Sequence, residues 1–379
     1  MTPPLERSQV RNILFVQFGG IGDVILAFPA LQSLREAYPN ARLTLLVEPR
    51  SQGVTQFNPV IDDVLVFAAK DRPTVVTFLR LVADLRRRRF DLAIASGRRV
   101  VMPLLMRLTG ARWRGGYQAN VLSRLLTHPV PLRTAQYAAG MYHDLVVPFV
   151  DAPARPPQVI VAPEDDAWAD EFLGRRGLSG QPFVLLHPGS SKVAVQRGIQ
   201  KTWDPRSWGD LARMLLDQGQ HVVLAGGPDD DLAISTIMAD LEKHPAASEH
   251  PPVLETAPFA GALPTAARLV LAHGHTRGLG QFAALARRAS ALVAVDSAPM
   301  HIGIGTGTPT VGLFGPTDPQ KLVPAGTVHQ AVHVQDLPCR PCLWERRRTT
   351  CEAVTCMKQL SLEQVADATL RVLPPQSPS

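Results

Sequence analysis

The sequence predicts an α/β protein of two doubly wound, Rossmann-like domains facing a central cleft, and three observations carry that expectation. Short apolar runs suited to buried parallel strands alternate with helix-like stretches; a proline-rich passage interrupts the alternation; beyond it the alternation begins again. A chain of 379 residues also exceeds what one hydrophobic core comfortably organises.

In the first part the strand candidates are "NILFVQ", "RLTLLV", "DVLVF" and "DLAIA", with helices over 24–38 and 74–89. The linker candidate is "DAPARPPQVIVAPEDD" at 151–166. Strands resume at 183–187, 221–227, 291–295 and 310–314, separated by helix-like segments at 204–218 and 279–289. The Pro- and Ala-rich stretch 242–264 lacks periodicity and is expected to be a surface excursion. Ser361, followed by Glu363 and Gln364, opens a closing amphipathic helix, with "PPQSPS" as a loose tail. The expected divisions are 1–155, 165–358 and, for the closing helix and tail, 359–379.

Hydrophobic residues at 45% and charged residues at 19% mark a folded globular chain rather than a disordered one. No run of about 18 uninterrupted apolar residues is present, and the opening "MTPPLERSQVRN" lacks a secretory apolar segment. A cytoplasmic protein is expected. The net charge of +6 is unevenly spread, because Arg86 to Arg133 holds eleven arginines and one acid, Asp91. A solvated helix face accounts for the run at 86–89, and so does a surface that attracts phosphates or lipid headgroups. Nucleic acid is not an expected partner, since no helix-turn-helix, zinc-finger or aromatic-basic pattern accompanies the arginines.

In "FGGIGDV", Gly19, Gly20 and Gly22 allow a tight turn and close approach of a ligand, with the next helix offering its N–H groups to an anion. A dinucleotide fingerprint fails here, since Ile25 stands where the third glycine belongs, although Glu48 mimics the ribose-binding acid. Asp23 suits a helix cap as well as a catalytic carboxylate. Further on, "HPGSSKVAVQRGIQKTW" sets Ser190 and Ser191 at a strand's carboxyl end with Lys201 beyond, a group suited to a leaving diphosphate. "VDSAPMHI" adds Asp296, Ser297 and Ala298 at a helix start and His301 one turn on, where N–H groups point at an anion. The plainer readings are a surface lysine and a structural histidine.

"GGIGDVILAFPAL", "HPGSS…KTW", "AGGPDD", "VDSAPMHI", "GLFGPTDP" and the cysteine-bearing "PCRPC…C…CM" occur in that order over nearly the whole chain. Together they resemble glycosyltransferase family 9, the ADP-heptose:lipopolysaccharide heptosyltransferases. The resemblance implies a GT-B architecture, with the acceptor held mostly by the first domain and the sugar nucleotide mostly by the second. It implies that Asp23 is the general base of an inverting transfer, with the phosphate cradle on the opposite side of the sugar. The implied donor contacts are Ser190, Ser191, Lys201, Asp296, Ser297, Ala298 and His301, with Asp229 or Asp230 on the ribose. Lys201 is also implied in catalysis, opposing charge on the leaving diphosphate so that no metal or other cofactor is required. Acceptor contacts are expected at Gly20, Gly22, Arg98 and Arg99, where an anionic glycolipid or the inner membrane leaflet would be met. Two departures stand out: Gln17 occupies a place often held by Lys or Arg, and "HTRGLG" replaces the frequent Met-Ser or Thr-Ser-Leu pattern.

The cysteines Cys339, Cys342, Cys351 and Cys356 run C-x2-C-x8-C-x4-C, a spacing that permits a tetrahedral zinc site or a metal-free structural motif under the final helix. Two other functions stay open: a nucleotide-sugar-binding protein without turnover, for which Gln17 is the hint, and a nicotinamide dehydrogenase.

Overall fold

Six strands build the first sheet: β1 (Asn12–Gln17), β2 (Arg42–Val47), β3 (Asp63–Val66), β4 (Leu92–Ala95), β5 (Trp113–Tyr117) and β6 (His128–Val130). In this computed structural model, which describes residues 6–71, 73–243, 253–255 and 267–374, all their pairings are parallel in the order β3-β2-β1-β4-β5-β6. Leu14, Phe15 and Val16 are wholly buried because helices cover both faces, which is why such strands read as continuous apolar runs. Those helices are α1 (Ile21–Ala37), α2 (Val75–Arg87), α3 (Val101–Leu108) and α4 (Ala138–Asp144). Leu14, Val16, Ala93 and Ala95 share one core cluster with Val82 and Leu85 of α2 and Met102, Leu105 and Met106 of α3. α1 is buried without a break from Val24 to Leu31 and packs against α4.

The second sheet has seven strands, β7 (Phe183–His187), β8 (His221–Leu224), β9 (Val253–Glu255), β10 (Arg268–Leu271), β11 (Ala291–Val295), β12 (Thr310–Phe314) and β13 (His329–His333). It is again all parallel, in the order β13-β12-β11-β7-β8-β10-β9. Its helices are α5 (Pro163–Gly174), α6 (Lys192–Gln196), α7 (Pro205–Asp217), α8 (Asp231–Lys243), α9 (Leu279–Arg288), α10 (Ala298–Gly305), α11 (Thr355–Lys358) and α12 (Leu362–Val372). The chain divides into two units, Met1–Ile160 and Val161–Ser379.

The sequence expectation lacks β6, β10 and β13, and three further local features differ from it. The proline-rich passage gives way to α5 at Pro163, because proline at a first helical position fixes φ without sacrificing a hydrogen bond. The stretch 242–264 is not wholly an excursion, since Val253–Glu255 adds an edge strand to β10; its remainder over 244–252 and 256–264 lies outside the described residues, as does the tail from 375. The first sheet gains β5 from "WRGGY", whose Gly115 leaves room for the Phe149 ring: a Cβ there would fall 2.8 Å from it. Ser361 caps α12 by accepting the Gln364 N–H at 3.3 Å. No helix among the described residues is long and apolar enough to cross a membrane.

In each sheet the strand order reverses at the first strand: β1 lies between β2 and β4, and β7 between β8 and β11. Open α/β sheets hold ligands beyond the carboxyl ends of the strands at such a switch point. Asp23, Arg98 and Arg99 leave β1 and β4 at one of these points; Ser190, Ser191, Asp296 and Ser297 leave β7 and β11 at the other.

Candidate active site

β1 ends at Gln17, and the chain turns through Gly19 and Gly20 into α1. Only glycine fits at 19, since a Cβ there would lie 2.2 Å from the Asp23 Cβ. The carboxylate folds back over the turn: Oδ2 accepts the Gly20 N–H at 2.7 Å and Oδ1 accepts the Tyr142 hydroxyl at 2.7 Å. Asp23 and Gly22 stay half-exposed, and each carboxylate oxygen keeps lone-pair capacity for a further donor. The helix cap and an oriented, reachable base are therefore compatible in one side chain. Burial, then the Asp23 charge, pushes the Tyr142 hydroxyl far above its usual range, so it serves here as a fixed proton donor to the carboxylate. Gln17 is buried; it accepts the Gly19 N–H at 3.0 Å and donates to the Asp23 carbonyl at 3.3 Å. The amide at position 17 braces the turn, and a cation reaches the same place from elsewhere: the Arg50 guanidinium lies 3.6 Å from where a Gly20 Cβ would be.

The arginine run divides between the two ends of the first sheet. Arg98 and Arg99 are exposed just beyond β4, and the Arg98 carbonyl accepts from Asn120 at 3.2 Å. Burial pushes the Tyr117 hydroxyl upward, and the charges of Asp144, Arg98 and Asp23 act on it in turn. Arg87 and Arg88 sit at the opposite end, on the last turn of α2 and just past it, where Arg88 pairs with Asp84 at 3.2 Å. Arg114 is turned to the carbonyls of Leu125 and Ala111 at 3.0 and 2.6 Å.

In the second unit, the Ser190 hydroxyl is enclosed yet meets no partner among the described residues, while Ser191 is exposed at the start of α6. Ser297 precedes α10, but its hydroxyl donates back to the Val295 carbonyl at 3.2 Å. No side chain caps α10, so apart from Pro299 its first-turn N–H groups, beginning at Ala298, are open to an anion. Asp296 is buried, which opposes its charge, yet its carboxyl is held below the usual range. Lys201 Nζ at 2.7 Å and the Thr317 hydroxyl at 2.6 Å, both donating to Oδ2, outweigh burial, and buried His301 adds its charge nearby. Lys201 also donates to the Asp296 carbonyl at 3.2 Å, which leaves one ammonium proton for a ligand.

A depressed carboxylate contributes stability that is present above its unfolded pKa and lost as pH falls through the lowered folded value. Thr317→Val removes one donor to that charge, so it should cost about 1.5–3 kcal/mol at neutral pH and move acid unfolding to higher pH. Circular dichroism across the acid range checks this; an unchanged transition would mean that Lys201 alone holds the charge.

The two candidate ribose acids have different surroundings. Asp230 is buried, accepts the Gly227 N–H at 2.8 Å and lies against Gly189, where a Cβ would fall 1.9 Å from its Oδ1. Asp229 is exposed and accepts the Lys192 N–H at 2.9 Å. Of the pair, Asp229 is open to a ligand.

The four cysteines carry free thiols and line one cavity of about 270 Å³. Burial, then the neighbouring thiols, pushes Cys356 up to about 11. Although they share this cavity, no group of three or more His, Cys, Asp or Glu among the described residues is placed to hold a metal ion. The segment has a visible packing role. Arg340 donates to the carbonyls of Gly315, Thr317 and Val334, and the Cys342 N–H donates to the Pro316 carbonyl at 2.9 Å. It thereby fixes the loop that presents Thr317 to Asp296.

Paired parallel sheets that each reverse at their first strand define the GT-B class of glycosyltransferase fold. Escherichia coli ADP-heptose lps heptosyltransferase II shares it, with a TM-score of 0.65 over 95% of this chain and 99% of that one at 20% identity. A family model described as glycosyltransferase family 9 (heptosyltransferase) matches residues 78–249 and 260–352, and the chain belongs to that family. It is similar to lipopolysaccharide heptosyltransferase 3 of E. coli, 27% identical over 306 residues, 78% of this chain and 81% of that protein. It is also similar to lipooligosaccharide heptosyltransferase 2 of Haemophilus influenzae, 26% identical over 328 residues, 83% and 86% of the two. The protein is a glycosyltransferase, which removes the dehydrogenase as an alternative; Gln17, the hint for a binding protein without turnover, is the brace of the Asp23 turn.

Proposed function

We propose that this glycosyltransferase moves a heptose from ADP-heptose to an anionic cell-envelope glycolipid, such as the lipopolysaccharide inner core, at the inner face of the membrane. The observation that carries the reading is Asp23, held by Gly20 and Tyr142 at a switch point yet open to a further donor. The names of the relatives support the donor and acceptor classes. In this mechanism Asp23 takes the acceptor hydroxyl proton as the oxygen attacks the anomeric carbon. The bond from that carbon to the diphosphate oxygen breaks, and its electron pair leaves with ADP. The charge that grows there meets the α10 N–H groups of Ala298 and its neighbours, the remaining Lys201 proton, and Ser190 and Ser191. Ser297 and His301 complete the phosphate surroundings, with Asp296 positioning Lys201 and Asp229 taking the ribose. Gly20 and Gly22 leave room for the acceptor, and Arg98 and Arg99 take its phosphates.

The test is incubation with ADP-heptose and a phosphorylated inner-core glycolipid in the presence of EDTA, followed by mass spectrometry of the lipid. A gain of one heptose is expected. No gain with ADP-heptose, or a gain that returns only when magnesium is restored, would overturn the reading.

The two arginine pairs separate acceptor binding from bulk charge. Replacing Arg98 and Arg99 by Gln should raise the acceptor KM on the order of tenfold, an effect that salt mimics because exposed charges act over roughly 8–10 Å. Replacing Arg87 and Arg88 should change it little. Steady-state kinetics at two ionic strengths measures both, and equal small effects would return the run to a solvated surface.

A further inference from the structure

The first unit carries apolar side chains that its own core does not use. α2 and α3 turn Val82, Leu85, Met102, Leu105 and Met106 inward, yet both begin with large aliphatic residues facing solvent. Val75, Val76 and Leu79 open α2, with Val75 75% exposed. Val100, Val101 and Leu104 stand at the start of α3, and Val121, 72% exposed, begins the short 3-10 helix after β5. Single exposed aliphatics are ordinary, but these follow the carboxyl ends of β3, β4 and β5 in one sheet. In a parallel βα crossover each helix starts near the carboxyl end of the strand before it, so all three starts lie along the sheet edge that carries the Asp23 turn. Asn120, the cap of the Val121 segment, donates to the Arg98 carbonyl at 3.2 Å and ties that segment to the Arg98–Arg99 loop.

Charge selects what such an edge fits. Arg80, Arg98, Arg99 and Arg124 are exposed on these same segments, and none is paired with a carboxylate among the described residues. Of the acids on these segments, Asp84 pairs with Arg88 at the far end of α2 and Asp91 accepts the N–H groups of Arg11 and Asn12; Asp71, exposed in the loop before α2, is the acid nearest the rim and has a partner of its own. Unpaired guanidinium groups interleaved with aliphatic side chains fit a surface that is anionic outside and apolar just beneath, which is a bilayer bearing anionic lipid.

We propose that the rim formed by the starts of α2, α3 and the 121–125 segment is the surface by which the enzyme docks on an anionic bilayer. Val75, Val76, Leu79 and Val121 enter the headgroup–acyl boundary, and Arg80 and Arg124 take lipid phosphates, leaving Arg98 and Arg99 to the acceptor. Docked in this way, the Asp23 turn faces the plane from which a lipid-linked acceptor presents its hydroxyl. That last consequence rests on the proposed glycolipid acceptor; the docking itself does not.

Sedimentation of the full-length protein with vesicles of phosphatidylglycerol and phosphatidylethanolamine, against phosphatidylcholine alone, tests the docking without any substrate. The wild type should partition onto the anionic vesicles at least about tenfold more strongly. The triple variant Val75→Ser/Leu79→Ser/Val121→Ser should lose about tenfold or more of that partitioning while keeping its circular dichroism and its turnover on a deacylated, water-soluble acceptor. Equal partitioning of wild type and triple variant overturns the docking. So does a triple variant that loses self-association in sedimentation velocity while vesicle binding is unchanged, because the rim would then be a contact between two copies. A wild type that binds anionic vesicles through this rim but transfers no sugar supports the docking and overturns the acceptor reading alone.

Discussion

Asp23→Asn should lower turnover by a factor on the order of 100 or more while leaving the donor KM within a few-fold. The substitution is nearly isosteric, and the local geometry tolerates it. The asparagine carbonyl can still accept the Gly20 N–H, and the Tyr142 hydroxyl, which donates to Asp23 Oδ1 at 2.7 Å, can rotate to accept from the new amide. The turn and the start of α1 are preserved, so thermal unfolding should shift little. What disappears is the charge and the lone pair that receive the acceptor proton. Steady-state kinetics with both substrates varied distinguishes the outcomes. Loss of donor binding with unchanged turnover at saturation would reduce Asp23 to a helix cap or a donor contact.

Lys201→Ala should have the second large effect, and on two quantities at once. The side chains of Lys201 and Asp296 are 18% and 4% exposed, so removing the lysine strands a buried carboxylate and should cost about 3–5 kcal/mol of stability. The donor kcat/KM should also fall roughly 100- to 1000-fold, because the ammonium opposes charge that grows on the departing diphosphate. Lys201→Ala/Asp296→Asn separates the two contributions. The double variant removes the stranded charge, so it should recover most of the stability measured by urea unfolding and little of the turnover. Recovery of both would mean that Lys201 acts only by neutralising Asp296.

Much of this arrangement is legible in the sequence because parallel strands buried on both faces leave continuous apolar runs, and because glycine turns mark where those strands end. Such local signals are enough to place Asp23, Ser190 and Ser297 at strand exits. They say nothing about partners brought in from afar. Tyr142 reaches Asp23 across 119 positions, and Lys201 reaches Asp296 across 95. Thr317 lies within the quoted "GLFGPTDP", but its hold on Asp296 exists only once β11 and β12 are adjacent. β5 escapes sequence reading because the two glycines in "WRGGY" have low strand propensity, and the packing of Phe149 and Leu126 over them supplies what the local sequence does not. The arginine run reads as one block of charge along the chain, whereas the βα crossovers distribute it to opposite ends of the sheet. Gln17 looks like a missing cation in one dimension and is a brace in three.

The anomeric configuration of the transferred sugar tests the single-displacement mechanism most directly. It can be read by NMR from the one-bond carbon–proton coupling at the new glycosidic carbon, compared with that of the donor. Inversion is predicted, since a hydroxyl deprotonated by Asp23 must attack opposite the departing diphosphate. Retention would require a covalent intermediate or attack from the leaving-group face, and would contradict the role given to Asp23 as the general base.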